Sequence, residues 1–405
     1  MAYERLDEAL KMLNRRQLLE LDTCARCALC TDLCPVYAES KNPLHAPGVR
    51  SSKILSLVNK RLSLWARLLG PRPISEGELE ELAESTYHCT LCGRCMEACP
   101  FGLETHELWL SVRSLLNLLN QTPPRIMMLR EMLRENGNPY GLDADMRLDW
   151  ADYTGLEEAP VKDRAEVAYF VGCTTAFKAV NQEIAYSIAS LLNELNVDWT
   201  LLGEEEWCCG SPYLLAGDRE GAREAAERNV EALKARGVKT VITGCAGCFR
   251  VMRWEYPKLL GGPLPFRVIH AVEYFSEHIT SGDLKPEPLD ARVAYHDPCE
   301  LGRLGGVIEE PRIILKVLTT NPVELPESGL EGRCCGGGGL LQAVSDELRL
   351  SIVDARLRQV SELGVEILTS ACPSCKLTFS DGVRERGYNL EVLDLMELLA
   401  RQMGL

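Results

Sequence analysis

Apolar residues recur along the first part of the chain at helical intervals. Leu6, Leu10, Leu13, Leu18 and Leu19 stand among charged positions and predict an amphipathic helix over residues 3–20. A helical, basic stretch follows over Lys53–Arg72, then a helix over Ser75–Ser85 that opens on a capping serine. Residues 101–135 read as helix again, with Leu103, Leu108, Leu110, Val112, Leu115, Leu116, Leu118 and Leu119 apolar. From Asn136 to Pro160, turns rich in Gly, Asp, Asn and Pro replace the periodicity, as in a linker. Beyond it short apolar runs alternate with amphipathic ones. Val167–Val171, Asp198–Leu202 and Val238–Thr243 predict strands, with helices over Phe177–Leu195 and Asp218–Arg236 between them. The plan then returns: strand Arg292–His296, helix Pro311–Leu318, helix Asp346–Leu363, strand Val365–Thr369. Strand–helix stretches over Phe266–His278 and Leu390–Gln402 close the two copies. This alternation predicts open, parallel α/β units.

The two copies also share their cysteines. The first holds Cys173, Cys208, Cys209, Cys245 and Cys248; the second holds Cys299, Cys334, Cys335, Cys372 and Cys375. The copies are offset by 126 residues at the lone Cys and at the Cys-Cys pair, and by 127 at the last Cys. Flanking sequence repeats too: VAYFVGC with VAYHDPC, EWCCG with GRCCG, VITGCAGC with ILTSACPSC. Such a period marks a duplicated, domain-sized unit. The expected organisation is residues 1–135, a linker over 136–165, a first repeat over 166–285 and a second over 286–405.

Eighteen cysteines in a chain that opens on the charged, helix-like MAYERLDEAL read as metal ligands rather than disulfides. A formal net charge of −15 argues against nucleic acid as a partner and against a polybasic membrane contact. No apolar run approaches the length of a membrane span, so no transmembrane segment is expected.

The first eight cysteines have a spacing of their own. Cys24, Cys27, Cys30 and Cys34-Pro35 follow the order C-x2-C-x2-C-x3-C-P, and Cys89, Cys92, Cys95 and Cys99-Pro100 repeat it. This is the run of two-cluster ferredoxins, in which the fourth Cys of each run ligates the other cluster. One cubane 4Fe–4S cluster is therefore expected on Cys24, Cys27, Cys30 and Cys99, and another on Cys89, Cys92, Cys95 and Cys34. Zinc sites built from four ligands in C-x2-C pairs are a poorer match. The fold class expected is thus α/β: a helical, two-cluster ferredoxin-like domain followed by a duplicated open α/β domain.

Each later repeat offers five thiols where a cubane cluster takes four. Either one Cys is a spare core residue, or the cluster has a fifth ligand and an opened geometry; duplication of all five favours the second. Here the chain resembles the D subunit of heterodisulfide reductase from methanogens, over essentially its full length. The resemblance rests on YFVGCT, GEEEWCCGS, CAGCFR, YHDPCELGR, RCCGGGG and SACPSCK. It implies one noncubane 4Fe–4S cluster on Cys173, Cys208, Cys209, Cys245 and Cys248, and another on Cys299, Cys334, Cys335, Cys372 and Cys375. It also implies that a disulfide of the coenzyme M–coenzyme B type is cleaved between them. Iron–sulfur subunits of glycolate oxidase and anaerobic glycerol-3-phosphate dehydrogenase are similar in layout but relay electrons. Subunits of a sulfite-reduction membrane complex and of a large benzoyl-CoA reductase complex are similar as well. A non-catalytic electron-transfer subunit is therefore the alternative reading.

Reduction also needs protons. His296 in HDPC is the candidate for a proton or substrate role, a structural histidine being the alternative; the other histidines give no signal. Lys376, Arg250, Arg303 and Arg333 lie near cluster cysteines, where they offset thiolate charge, bind an anionic substrate or simply face solvent. Lys376 joins His296 as a catalytic candidate. Trp207 and Phe249 read as solvent shielding. The run Gly336–Gly339 does not open a helix after a strand, so it reads as close backbone packing and not as a dinucleotide loop. No flavin or nicotinamide is expected on this chain. Electrons would come from a partner subunit, a membrane cytochrome b or a soluble flavin/hydrogenase complex. The chain is expected in the cytoplasm, where a membrane partner could dock it on the inner membrane face.

Overall fold

In the computed structural model, residues 2–154, 156 and 159–405 are described. They form two compact units. The first comprises the chain up to Arg130 together with Pro212–Arg219 and Gly336–Ile352; the second comprises Glu131–Ser211, Glu220–Cys335 and Val353–Leu405. The chain therefore leaves the second unit shortly after each Cys-Cys pair and later returns to it.

The first unit is helical. The helix expected over 3–20 is two, Ala2–Leu10 and Arg15–Thr23. The first ends at Leu10 and Asn14 caps the start of the second: its side chain accepts the Gln17 N–H at 2.9 Å and its own N–H meets the Gln17 side chain at 3.0 Å. The stretch 101–135 likewise divides into Thr105–Leu118 and Pro124–Asn136, because Pro123 and Pro124 can begin a helix but not continue one. Glu76–Tyr87 opens on a Ser75–Glu78 capping box. The helices close over a core that includes Leu10, Ile54, Tyr87, Trp109 and Leu115.

The second unit holds two four-stranded parallel sheets. In the first, β1 (Val167–Tyr169), β2 (Trp199–Thr200), β3 (Thr240–Thr243) and β4 (Arg267–His270) lie in the order β2-β1-β3-β4. In the second, β5 (Leu289–His296), β6 (Thr319–Val323), β7 (Ile367–Ser370) and β8 (Glu391–Asp394) lie in the order β6-β5-β7-β8. β6, with the sequence TTNPV, has no apolar run to announce it; it is an edge strand, where a proline costs no ladder bond. Helix Ala179–Glu194 of the first copy packs on Leu395–Met403 of the second, and Ala271–Ser281 packs on Glu309–Leu318. Each copy sets its first long helix against the last helix of the other. The segment read as a linker carries helix Asp149–Thr154, with Trp150 buried, and packs on Ala179–Glu194; residues 155, 157 and 158 of it lie outside the described residues.

Candidate functional site

Parallel sheets collect ligands beyond strand C-termini, where the strand order reverses. Here the reversal falls between β1 and β3, and between β5 and β7. Cys173 follows β1, and Cys245 follows β3 as the N-cap of helix Ala246–Arg250. Cys372 follows β7 as the N-cap of Pro373–Arg386. Helix N-termini favour the thiolate form of such residues. Each Cys-Cys pair is followed by a glycine at positive φ, +86° at Gly210 and +95° at Gly336. A Cβ there would come within 3.3 Å of the Ala222 carbonyl and 3.0 Å of the Arg349 carbonyl, so the motif needs its glycine.

The thiols form a chain of contacts. Cys173 meets Cys208, Cys208 meets Cys209, Cys209 meets Cys248, and Cys248 meets Cys245. Cys245 then meets Cys372 of the second copy. Cys372 meets Cys375, which lies 3.4 Å from Cys335. The two five-cysteine sets thus adjoin at Cys245 and Cys372. Cys334 is buried and Cys299 half-buried.

Buried braces hold these loops. Glu206 accepts the Val171 and Gly172 N–H groups at 2.9 Å each and pairs with Arg147 at 2.9 Å. Arg147 also donates to Cys173 Sγ at 3.7 and 3.8 Å. The hydrogen bond from Cys208, aided by Arg147, holds the Cys173 thiol below its usual range although burial opposes it. In the second copy Asp297 plays the similar part, pairing with Arg312 and accepting the Gly329 N–H at 2.9 Å. His270, fully buried, lies beside the backbone of Gly244 and Ala371, the residues preceding Cys245 and Cys372. Burial lowers its pKa to about 3. Neither Glu206 nor His270 stands out in the sequence. EEEWCCG looks like surface acid, and a lone histidine carries no spacing.

Of the candidates beyond cysteine, His296 is buried at the end of β5 and shares a tight group with Cys335 and Cys375. Desolvation lowers its pKa to about 3, which leaves the ring neutral. Lys376 is buried and paired with Glu397. Arg250 pairs with Glu255 and Glu300; Arg303 donates to the Leu330 and Gly332 carbonyls; Arg333 lies 3.9 Å from Glu327. Trp207 lies under Arg228, and Phe249 packs edge-on to His270. Two residues without a sequence signal stand beside the first set: Lys178 lies 4.3 Å above the Tyr140 ring, and the Tyr140 hydroxyl meets Thr174, the neighbour of Cys173, at 3.1 Å.

In the first unit, one cavity is lined by Cys24, Cys27, Cys30, Cys95 and Cys99, and a second by Cys34, Cys89, Cys92 and Cys95. Cys27 is exposed, whereas Cys34 and Cys92 are buried. Burial pushes the Cys30 and Cys95 thiols up to about 11. All these donors are soft thiols in ordered groups, which suits iron–sulfur clusters and not hard cations.

Fold and site together define an iron–sulfur oxidoreductase. Residues 167–253 and 293–380 match the Cysteine-rich domain (CCG) family, and residues 20–103 match the 4Fe-4S dicluster domain family. The chain is 38% identical to the D subunit of the dihydromethanophenazine:CoB--CoM heterodisulfide reductase of Methanosarcina acetivorans, over 98% of this chain and 97% of that protein. It belongs to the family of heterodisulfide reductase D subunits, and 4Fe–4S clusters are its cofactors. It is also 29% identical to the EtfAB:quinone oxidoreductase of Syntrophomonas wolfei, over 96% of this chain and 59% of that protein. A hypothetical protein from Helicobacter pylori shares the fold, with a TM-score of 0.55 at 13% identity, over 100% of this chain and 75% of that one. Among the described residues no helix is long and apolar enough to cross a membrane.

Proposed function

We propose that this chain is the catalytic subunit of a disulfide reductase, acting on a disulfide of the coenzyme M–coenzyme B type. The observation that carries this reading is the meeting of two complete five-thiol sets at Cys245 and Cys372. A noncubane 4Fe–4S cluster on each set, fed by two cubane clusters in the first unit, would supply one electron to each sulfur. The balance is one S–S bond broken, two electrons and two protons taken up, and two thiols formed.

The chain's own residues then have distinct roles. Cys173, Cys208, Cys209, Cys245 and Cys248 hold one centre, and Cys299, Cys334, Cys335, Cys372 and Cys375 the other. Cys24, Cys27, Cys30 and Cys99 hold one cubane cluster; Cys34, Cys89, Cys92 and Cys95 hold the second. Lys178, over Tyr140, offers a cation to an anionic substrate group near the first set. His296, kept neutral by burial, offers a ring N–H beside the second set. Lys376, paired with Glu397, is the nearby proton reserve. The buried thiols keep water away from the sulfurs. Electrons arrive from a partner subunit, a membrane cytochrome b or a soluble flavin/hydrogenase complex, and the chain works in the cytoplasm, against the inner membrane face where the partner is the cytochrome.

The test is a turnover assay on anaerobic, iron-replete protein carrying about 16 irons, four per cluster. Reduced viologen should be oxidised on addition of the coenzyme M–coenzyme B heterodisulfide and not of simple disulfides. The likeness to a quinone oxidoreductase favours a second reading, a non-catalytic electron relay. Fully loaded protein that oxidises no viologen with any disulfide would select that reading.

A further inference from the structure

Arg113 lies within helix Thr105–Leu118 and is fully buried, with 0% of its surface exposed. Its Nη1 donates to the Leu215 carbonyl at 2.6 Å and the Gly339 carbonyl at 2.8 Å. Its Nη2 donates to the Thr86 carbonyl at 3.1 Å and the Cys89 carbonyl at 2.8 Å. The guanidinium also stacks on Tyr87, 5.0 Å from the ring centre. None of these partners is a carboxylate. Among the described residues no carboxylate pairs with Arg113; a buried cation so placed is costly, and the thiol of Cys89 is the foremost group whose charge favours it.

The four carbonyls have different origins. Thr86 and Cys89 belong to the segment that carries the second cysteine run. Leu215 follows Cys209 by six residues, and Gly339 follows Cys335 by four. Both of the latter lie in segments that the first unit takes from the two repeats. Their packing there is backbone on backbone: a Cβ on Gly339 would lie 2.2 Å from the Cys89 carbonyl oxygen, and one on Gly217 would lie 2.3 Å from the Arg113 carbonyl oxygen. Arg113 thus joins three segments: the loop of one cubane site and the continuation of each Cys-Cys pair. A second buried cation, Arg50, donates to the Ser85 carbonyl at 2.8 Å and acts on Cys34 of the same site. The site of Cys24, Cys27, Cys30 and Cys99 has Cys27 at the surface instead.

We propose that Arg113 is the positioning residue that makes the Cys34, Cys89, Cys92 and Cys95 centre the electron outlet of the first unit. Its fixed charge offsets the negative cluster and raises that centre's reduction potential above that of the exposed one. Two of its four carbonyl bonds hold the loop of Thr86 and Cys89, and the other two hold the chain segments that run, without a break, back to Cys209 and Cys335. One electron supplied by an external one-electron reductant enters at the exposed centre, reduces the Arg113 centre and passes on. This rests on the iron–sulfur reading above and deepens it.

The test is an EPR-monitored redox titration of the reconstituted full chain and its R113Q and R113K variants, with iron content measured on each. In R113Q the midpoint of one cubane centre should move to more negative potential while the other stays. Freeze-quench after mixing with reduced viologen should show reduction of the five-thiol centres slowed at least tenfold. R113K keeps the charge but cannot bridge four carbonyls, so its midpoint should hold while the transfer slows to a similar degree. Fully loaded R113Q with both midpoints unchanged, or with both shifted equally, overturns the role of Arg113. Should R113Q fail to fold, R113K decides, and undiminished transfer in it overturns the proposal. Wild-type protein lacking two cubane signals would instead overturn the underlying reading, and the role of Arg113 with it.

Discussion

Replacing Glu206 by alanine should damage one five-thiol site and spare the other. Glu206 is buried to 3% exposure and holds three groups: the Val171 N–H, the Gly172 N–H and the Arg147 guanidinium. Breaking a buried ion pair from one side costs about 3–5 kcal/mol. Each orphaned N–H adds about 1–3 kcal/mol, partly relieved by water entering the cavity. E206A should therefore lose at least about 4 kcal/mol in urea unfolding of the apo chain. The orphaned N–H groups stand directly before Cys173, so the first set loses the loop that presents its leading thiol. Anaerobic E206A should accordingly bind about four irons fewer than wild type and keep the EPR signature of the second set, whose brace is the separate Asp297–Arg312 pair. Removing both charges in R147M/E206Q leaves no unpaired ion and should recover much of the lost stability. The reasoning fails if E206A costs under about 1 kcal/mol, or if both sets lose iron equally.

Three further outcomes follow from the same geometry. Serine at Cys24 or Cys99 should abolish the signal of one cubane centre, and serine at Cys34 or Cys89 that of the other; an iron and EPR survey of the four variants checks this crossed pairing. His270, whose pKa is lowered to about 3 by burial, binds a proton in the unfolded chain but not in the folded one over roughly pH 3–6.5. Its contribution to stability is therefore lost as pH falls, by about 2 kcal/mol between pH 7 and pH 5; apo H270N, which keeps an N-cap group, should show that much less dependence in unfolding titrations. S75A removes the hydroxyl that accepts the Glu78 N–H in the capping box at Glu76–Tyr87, leaving the bond from the residue-75 N–H to Glu78, and should cost about 1 kcal/mol in the same measurement, a neutral result refuting the cap.

The sheets and the cysteine sets are legible in the sequence because both are written in local spacing. Strands β1, β3, β5 and β7 are short apolar runs, and each cysteine loop directly follows one of them or falls a fixed distance further on. β6 is not legible, since TTNPV is polar and proline-bearing, and only its pairing beside β5 makes it a strand. The break at Asn14 is masked because leucines continue at helical intervals on both sides, although the Asn14–Gln17 box is there to be read. His270, Glu206 and Arg113 are hidden for a different reason. Their partners are distant in sequence: Gly244 and Ala371, Val171 and Gly172, Leu215 and Gly339. A charged residue on a leucine-rich helix, such as Arg113, reads as solvent-facing until the fold brings four carbonyls to it. The Gly336–Gly339 run reads as close packing around a cluster. The close approach is to Cys89 and Thr90 of the ferredoxin-like unit.

The central claim is that both five-thiol sets act together on one disulfide. The most direct measurement compares C173A and C299A with wild type in the viologen–heterodisulfide assay, each at known iron content. The account predicts that either substitution abolishes heterodisulfide-dependent oxidation while both cubane centres are still reduced by viologen. Substantial turnover in either variant would contradict it.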